Sequence, residues 1–395
     1  MKKIAFLLDG LGNRRHLFQF KILKKHGFTP YALVFEEYLK DTELSSCIAN
    51  EAKLHPRTPR LAARGDKICI ANEAKLHPLP FKRNDVLRKF NLSFLKYLIN
   101  FLKKEGIAVL LTHRWRFLRY AIFSKFFYPE LRIIYHIVVG GTLKHPGRRL
   151  FFRLFKGKID LILVNSLALK EEIVSTGLVN PEEVELLYSS FELKAFPENI
   201  PQASARETLS LPQEAFIFGM VAQFRPEKRH ADLIKAFHSV HLEMPNALLV
   251  LVGEGKTKEE CRSLVKELGL EDKVIFTGKV SQDKVPLYLK AFDVLVHTSV
   301  REGMPLAVLE GLASGLPIIA TDAEGVPDIF ATDEKFGFLV PKGDVKAIAK
   351  AMLSLYKLPE EELKAMGERA KRRFYIGFSP EVFEKKTIEI FSRFF

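Results

Sequence analysis

Residues 292–321 read FDVLVHTSVREGMPLAVLEGLASGLPIIAT. The apolar run from Val294 to His297 predicts a buried strand, and Pro317–Thr321 a second one. Between them Leu306–Ala313 predicts a helix, ended by Gly315 and Pro317. Strand, helix and strand within about thirty residues make a parallel βαβ unit, which points to an α/β fold. Gly303 and Pro305 suit the tight loop before the helix, and proline costs nothing at a helix start because that N–H has no partner to lose. The helix's first turn presents backbone N–H groups and the positive end of a dipole, a seat for phosphate. Glu302 in the loop and Glu310 in the helix stand eight residues apart around this seat. Each acid can reach a polar group on a different side of a bound diphosphate. Taken alone, a solvated loop acid and a surface helix acid would read the same way.

Working outward, strands alternate with helices along nearly the whole chain. In the first half, strands are expected at Ile4–Leu8, Tyr31–Phe35, Ala108–Thr112, Arg132–Val139 and Leu161–Asn165. Helices are expected near Arg15–His26, Leu92–Lys104, Arg148–Lys156 and Leu167–Thr176, the last capped by Ser166. A Pro-, Ser- and Asn-rich stretch from Ala195 to Gln213 reads as a linker. A second series follows, with strands at Phe216–Val221, Leu248–Val252, Val274–Thr277, Val294–His297 and Pro317–Thr321. The pattern predicts two parallel-sheet α/β domains joined by a hinge, with the ligand beyond the strand C-termini in the cleft they face.

With 395 residues, 47% apolar and 27% charged, the chain suits a globular protein with two cores. No apolar run is long enough to span a bilayer as a helix. The opening MKKIAFLLDGLGNRRH has the look of a short signal peptide, but Asp9, Gly10 and Gly12 break its apolar core and no small-residue cleavage site follows. A first buried strand running into a glycine loop is the better reading. Cys47, Cys69 and Cys261 have neither metal nor redox spacing, so a cytoplasmic location is expected.

The net charge of +14 is unevenly placed. Residues 81–160 hold eighteen Lys or Arg against four Asp or Glu, and the remainder is balanced. Aromatic residues interleave with these cations in FLRYAIFSKFFYPEL (117–131) and RRLFFRLFKGK (148–158). That mixture suits an anionic membrane surface, each cation adding about 1 kcal/mol there. Core phenylalanines with solvated charges are an equal competitor. A nucleic-acid partner is not expected, because no motif for one accompanies the charge.

CIANEAKLHP occurs at 47–56 and again, unchanged, at 69–78. A single recurrence makes no solenoid. The pair reads as a duplicated insertion near the first domain's third strand, a tolerated loop in which His55 and His77 are weak evidence for a metal.

Several loops at predicted strand ends share a theme. DGLGNRRH (9–16) opens a helix, and its lone G-x-G at Gly10 and Gly12 permits close approach of a substrate or phosphate. FRPEKRH (224–230) places Arg225 and Lys228 at a helix start, a cationic cradle for a diphosphate. VGEG (252–255) puts Gly253 and Gly255 around Glu254 at a strand end. HTSVREG (297–303) and TDAEGVPD (321–328) complete the rim.

Taken in order, VGEG, FTGKV (276–280), residues 292–330 and GFLVPKGD (337–344) resemble the retaining glycosyltransferases of family 4, which have the GT-B fold. Glu302 and Glu310 match the family's E-x7-E signature. In the first domain ILKKHGFTPYAL and KIDLILVNSLALKEEIVSTG are similar more loosely, and Ser379–Phe394 resembles the final helix that returns to the N-terminal domain. The resemblance implies an acceptor-binding domain over 1–198 plus 379–395, and a nucleotide-sugar domain over 199–378. It implies transfer of a hexose-type sugar from a UDP- or GDP-linked donor to a lipid-linked or lipopolysaccharide-type acceptor of the cell envelope, at the cytoplasmic membrane face. The alternative is a nucleotide-sugar epimerase or another GT-B enzyme without a lipid acceptor.

Residue by residue, the resemblance gives Lys228 and a nearby Arg the donor diphosphate, Glu310 the ribose hydroxyls and Glu302 the transferring sugar. Gly303, Met304, Pro305 and Leu306, continuing to Ala307, lie at the phosphate-binding helix start. Gly253, Glu254, Lys279 and Val280 would line the nucleotide, with Gly12 in the first glycine loop. His136 matches a histidine near the sugar's 6-position, and His113 a second strand-end histidine. Gln223 stands where most members have Arg, which leaves the phosphate ligand between Gln223 and Arg225, with charge favouring Arg225. Asp328 replaces a usual Glu, and Leu11 separates glycines that are adjacent in most members. No D-x-D triplet occurs, so neither metal nor other cofactor is expected, and cations and a helix end would stabilise the leaving group.

Overall fold

A computed structural model describes residues 2–9, 14–38, 73–193 and 200–395. The chain divides into two compact units, Met1–Phe191 with Phe383–Phe395, and Glu192–Val382. Gly12, the first copy of the repeat and residues 195–199 of the expected linker lie outside the described residues.

The first unit is built on seven parallel strands: β1 (Lys2–Leu7), β2 (Phe28–Phe35), β3 (Lys75–Leu79), β4 (Val109–Thr112), β5 (Arg132–Ile137), β6 (Leu161–Val164) and β7 (Val184–Leu186). Their order is β3-β2-β1-β4-β5-β6-β7. Because side chains alternate across a strand, β1 serves two cores. Ala5 and Leu7 join Leu33, Phe35, Phe94 and Phe117 on one face. Ile4, Phe6 and Leu8 join Phe20, Val34 and Leu111 on the other.

That second face is closed by the Pro380–Ser392 helix, whose residues from Phe383 onward belong to the first unit. Phe391 stacks on Phe6 at 6.3 Å between centroids, and Phe383 on Phe18 at 5.6 Å. Glu384 accepts from Lys25 at 2.7 Å and faces His26 Nε2 at the same distance.

The second unit has six parallel strands: β8 (Phe216–Val221), β9 (Ala247–Val252), β10 (Val274–Gly278), β11 (Val294–His297), β12 (Ile318–Thr321) and β13 (Gly337–Val340). The order β10-β9-β8-β11-β12-β13 is that of a doubly wound Rossmann-like sheet, with its direction of growth reversing between β8 and β11. Fully buried parallel strands need cover on both faces, hence the near-continuous apolar runs of β9 and β12. The Leu306–Ala313 helix packs close enough that a Cβ on Gly311 would sit 2.4 Å from the Leu295 side chain. Among the described residues no helix is long and apolar enough to cross a membrane.

Two expectations are corrected. Within the expected linker, Gln202–Thr208 is a helix of the second unit. Its Arg206 is buried, ion-paired with Asp293 at 2.7 Å and bonded to the Ala291 carbonyl at 3.0 Å. The polar composition suggested a hinge, whereas one long-range ion pair fastens this segment to the β11 side of the sheet. The second copy of the repeat is likewise no loop, since from Lys75 it forms edge strand β3, in register with β2 so that His77 pairs with Leu33. Pro78 is tolerated because an edge strand has one side without ladder bonds. His77 Nε2 lies 2.7 Å from the Tyr97 hydroxyl, its ring 4.0 Å from that of Phe101.

Phe391 is fully buried. Phe391→Ala is expected to cost about 3–5 kcal/mol of stability, read as a lower urea midpoint for the first unit. An unchanged midpoint would show that the helix adds nothing to this core.

Candidate functional site

Three loops meet at the C-terminal ends of β8, β11 and β12, beside the point where strand order reverses. After β8, residues 222–224 run against the glycine loop after β9: Phe224 N donates to the Glu254 carbonyl at 3.0 Å, and Ala222 N to that of Val252 at 3.0 Å. Gly253 has φ +148°, and a Cβ there would fall 2.0 Å from the Ala222 carbonyl oxygen. Only glycine fits that approach. Glu254 accepts from Lys258 Nζ at 2.7 Å, which lowers its carboxyl's pKa. Lys279, exposed, and Val280 follow β10, where the Gly278 carbonyl accepts from Gly253 N at 3.1 Å.

The next segment differs from expectation. Arg225 and Lys228 do not open a helix directly. Pro226–Lys228 is a short 3₁₀ turn, and Arg229 in left-handed backbone (φ 55°) separates it from the His230–Val240 helix. This turn is pinned by the loop after β11. Val300 N and Ser299 Oγ donate to the Glu227 carbonyl at 2.9 and 3.0 Å, and Thr298 Oγ1 to that of Lys228 at 2.9 Å. Gln223 and Arg225 both remain exposed, Arg225 Nη1 lying 3.9 Å from Glu227.

Glu302 is the centre of the arrangement. Its Oε1 is ion-paired with Lys228 Nζ and faces His297 Nε2 at 2.9 Å. Its backbone N–H donates to Glu324 Oε2 at 2.8 Å, and its carbonyl accepts from Gly325 N at 3.4 Å. Burial works against ionisation, but the His297 hydrogen bond and charge, together with Lys228, outweigh it and hold the carboxyl at about 2. The group is therefore a carboxylate at any ordinary pH. A carboxylate only accepts, so His297 carries its hydrogen on Nε2. Glu302 can accept from a hydroxyl but has no proton to give.

Pro305 caps the Leu306–Ala313 helix, with Gly303 half-buried and Met304 buried in the turn before it. The expected helix thus stands at its expected bounds, with proline one position ahead of the first turn. Glu310 lies on the second turn, 6% exposed, its backbone carbonyl bonded by Ser314. The second unit thereby collects Gly253, Glu254, Lys279, Val280, Arg225, Lys228, Gly303, Met304, Pro305, Leu306, Glu302 and Glu310 on the rim of one sheet.

His136 belongs to the first unit. It is buried at the end of β5, its ring 4.8 Å from His113, which lies 4.4 Å from His16. Among the described residues no group of three or more His, Cys, Asp or Glu side chains is placed to hold a metal ion.

His297 and Glu324 are the residues that the sequence reading missed as partners of Glu302. A strand-end His before Thr-Ser was visible, but its contact is set by how β11 and the loop fold back. His230 was also missed. It is buried and stacked on Phe224 at 4.0 Å, with interplanar angle 14°. Burial, then His297 and Lys228, push its pKa from 6.5 down to about 3. The folded state refuses a proton that the unfolded chain takes up between those values. Stability contributed by neutral His230 is therefore complete above pH 6.5 and declines as pH falls toward 3. His230→Phe is expected to flatten the acid limb of stability against pH by up to about 1.4 kcal/mol per unit in that window. Urea melts at pH 4 to 7 check this, and an unchanged slope would contradict it.

Residues 201–373 match the model of the family described as Glycosyl transferases group 1. The Bacillus anthracis N-acetyl-alpha-D-glucosaminyl L-malate synthase is 32% identical over 52% of this chain and 52% of its own. A Campylobacter jejuni N-acetylgalactosaminyltransferase, whose name gives a diphospho-undecaprenol-linked substrate, is 33% identical over 55% of this chain and 56% of its own. The chain thus spans about half the length of the curated relatives it matches. Among solved structures, Anabaena HepE in complex with UDP and glucose superposes with TM-score 0.75 at 18% identity, over 100% of both chains. A sucrose-phosphate synthase from Thermosynechococcus elongatus does so with TM-score 0.73 at 18% identity, over 100% of this chain and 99% of its own. The two parallel sheets therefore have the GT-B fold, and residues 201–373, which carry the Glu302 rim, match the group 1 glycosyltransferase model.

Proposed function

We propose that the protein is a retaining glycosyltransferase that moves a sugar from a UDP- or GDP-linked donor to a lipid-linked or lipopolysaccharide-type acceptor. The observation that carries this reading is the fixed Glu302 carboxylate, held by Lys228 and His297 while Glu324 accepts from its backbone N–H, just ahead of the helix that carries Glu310. In this reading the donor diphosphate sits over the first turn of the Leu306–Ala313 helix, with Lys228 and Arg225 or Gln223 against its oxygens. Glu310 accepts from the ribose hydroxyls, and Glu302 accepts from a hydroxyl of the sugar being transferred. Gly253, Glu254, Lys279 and Val280 border the nucleotide, and the glycine at 253 lets backbone come close.

The chemistry follows from charge. As the bond from the anomeric carbon to the diphosphate breaks, negative charge grows on the leaving oxygen, where cations and N–H groups stabilise it without a metal ion. That oxygen takes the proton of the incoming acceptor hydroxyl on the same face of the sugar, so configuration is retained. Ionised Glu302 steadies the positive sugar and orients it, which differs from the acid-and-nucleophile pair of glycosidases.

A lipid-linked acceptor agrees with the substrate in the Campylobacter relative's name, though not with the L-malate of the Bacillus one, and with the first unit's surface. Leu150 and Leu154 stand 60% and 66% exposed on the Pro146–Phe155 helix, flanked by exposed Arg149 and Arg153. Phe126 and Phe127 are exposed nearby in sequence to a helix end, whereas Phe117 and Phe152 are core. The basic, aromatic segment thus divides between core and an amphipathic surface fit for peripheral contact with an anionic membrane on the cytoplasmic side.

Lys228→Ala leaves Glu302 with its His297 partner, and Glu310→Ala removes a buried acid from the second turn of the helix. Each is expected to lower sugar transfer at saturating acceptor by about 100-fold or more while the protein stays folded by circular dichroism. Wild-type turnover in either variant would overturn the assignment.

A further inference from the structure

The first unit contains a second constellation that the donor rim does not use. A cavity of about 360 Å³ is lined by Arg88, Arg116, Arg119 and Arg148, with Trp115, Phe151, His145 and Gly147. It is assembled from segments that follow β3, β4 and β5, the C-terminal side of the sheet where such folds take ligands. Among the described residues none of the four arginines is paired with a carboxylate. Arg148 reaches only the Thr142 carbonyl, at 3.3 Å. Arg119 Nε is buried without a hydrogen-bond partner, its guanidinium 5.7 Å from the Phe90 ring. Burial, and more weakly Arg116, work against its charge.

Two helices also begin here, Trp115–Phe127 and Pro146–Phe155, neither with an acid in its first turn. Arginine cannot shed its proton to relieve crowding. Four cations, one of them with a buried unsatisfied donor, together with two positive helix ends, are complementary to an anion presenting several oxygens. Trp115 and Phe151, in edge contact at 5.3 Å, give the same cavity an apolar wall.

We propose that this cavity binds the diphosphate group of the acceptor, with the adjoining lipid or sugar carried along the Trp115–Phe151 wall. The anion site stands on its own geometry, while naming its occupant an acceptor rests on the sugar-transfer reading above. A lipid-borne group is favoured because Leu150 and Leu154 are exposed on the same helix that supplies Arg148 and Phe151.

Calorimetric titration of inorganic diphosphate into the full chain, with and without UDP, tests the site. Saturable binding that persists in excess UDP is expected. It should weaken about tenfold or more in Arg119→Gln and in the exposed pair Arg88→Gln/Arg116→Gln, which leaves the fold unstrained if the buried change does not. Binding that UDP abolishes, or that both variants leave unchanged, would overturn the proposal. Zwitterionic vesicles carrying a prenyl diphosphate are expected to retain the wild type, but not the paired variant, and free diphosphate should release it. An equal loss of the paired variant from vesicles carrying the same charge as phosphatidylglycerol would show general surface charge instead and would also overturn it. Neither arm requires sugar transfer, so an inactive protein still passes or fails it. Loss of UDP binding alone would count against the transferase reading.

Discussion

One carboxylate holds the candidate site together. Glu302 ties the turn after β8 through Lys228, the end of β11 through His297 and the loop after β12 through the contact of its own N–H with Glu324. Lys228 and Glu302 are part-buried, so removing Lys228 leaves Glu302 to His297 alone and loosens the turn after β8. The arrangement therefore does more than place a side chain. It fixes the loop whose next residues, Gly303 to Pro305, lead into the Leu306–Ala313 helix. Because Glu302 stays ionised, Lys228 serves in part to neutralise it. On the proposed reading, a diphosphate beside Lys228 would join a network that is already polarised and needs little reorganisation, the condition under which electrostatic stabilisation is most effective.

Where local chemistry decided structure, the sequence was informative. The strand–helix–strand pattern at 292–321, the Gly315–Pro317 helix stop and the Ser166 cap all rest on neighbours a few residues away, and the Leu306–Ala313 helix stands where the pattern predicts it. Five strands of each sheet follow from apolar runs and helical spacing, whereas the edge strands β3, β7 and β13 were not placed. Features set by distant contacts were not legible. Arg206 gives no sign in a Ser- and Pro-rich segment that it will be buried against Asp293, 87 residues away. His77 looked like a loop histidine, yet pairing with β2 makes it part of an edge strand. The site shows the same division. Glycines and acids at strand ends were visible, whereas His297 and Glu324 became partners of Glu302 only when three loops converged.

Charge separates the two units by task. The surplus of cations falls in residues 81–160, all within the first unit, and part of it gathers around one cavity rather than spreading over a solvated face. The rim of the second unit instead pairs its cations with acids: Lys228 with Glu302, Lys258 with Glu254. Balanced charge suits a site that must bind and then release a nucleotide. Unbalanced charge suits one that must hold an anionic acceptor.

The second unit's rim is proposed to seat a nucleoside diphosphate without a metal ion. Calorimetric titration of UDP and GDP into the wild-type protein, in buffer containing a chelator, tests it most directly. One saturable site for at least one of the two is predicted. No binding of either nucleotide, or binding only after a divalent cation is restored, would contradict the account.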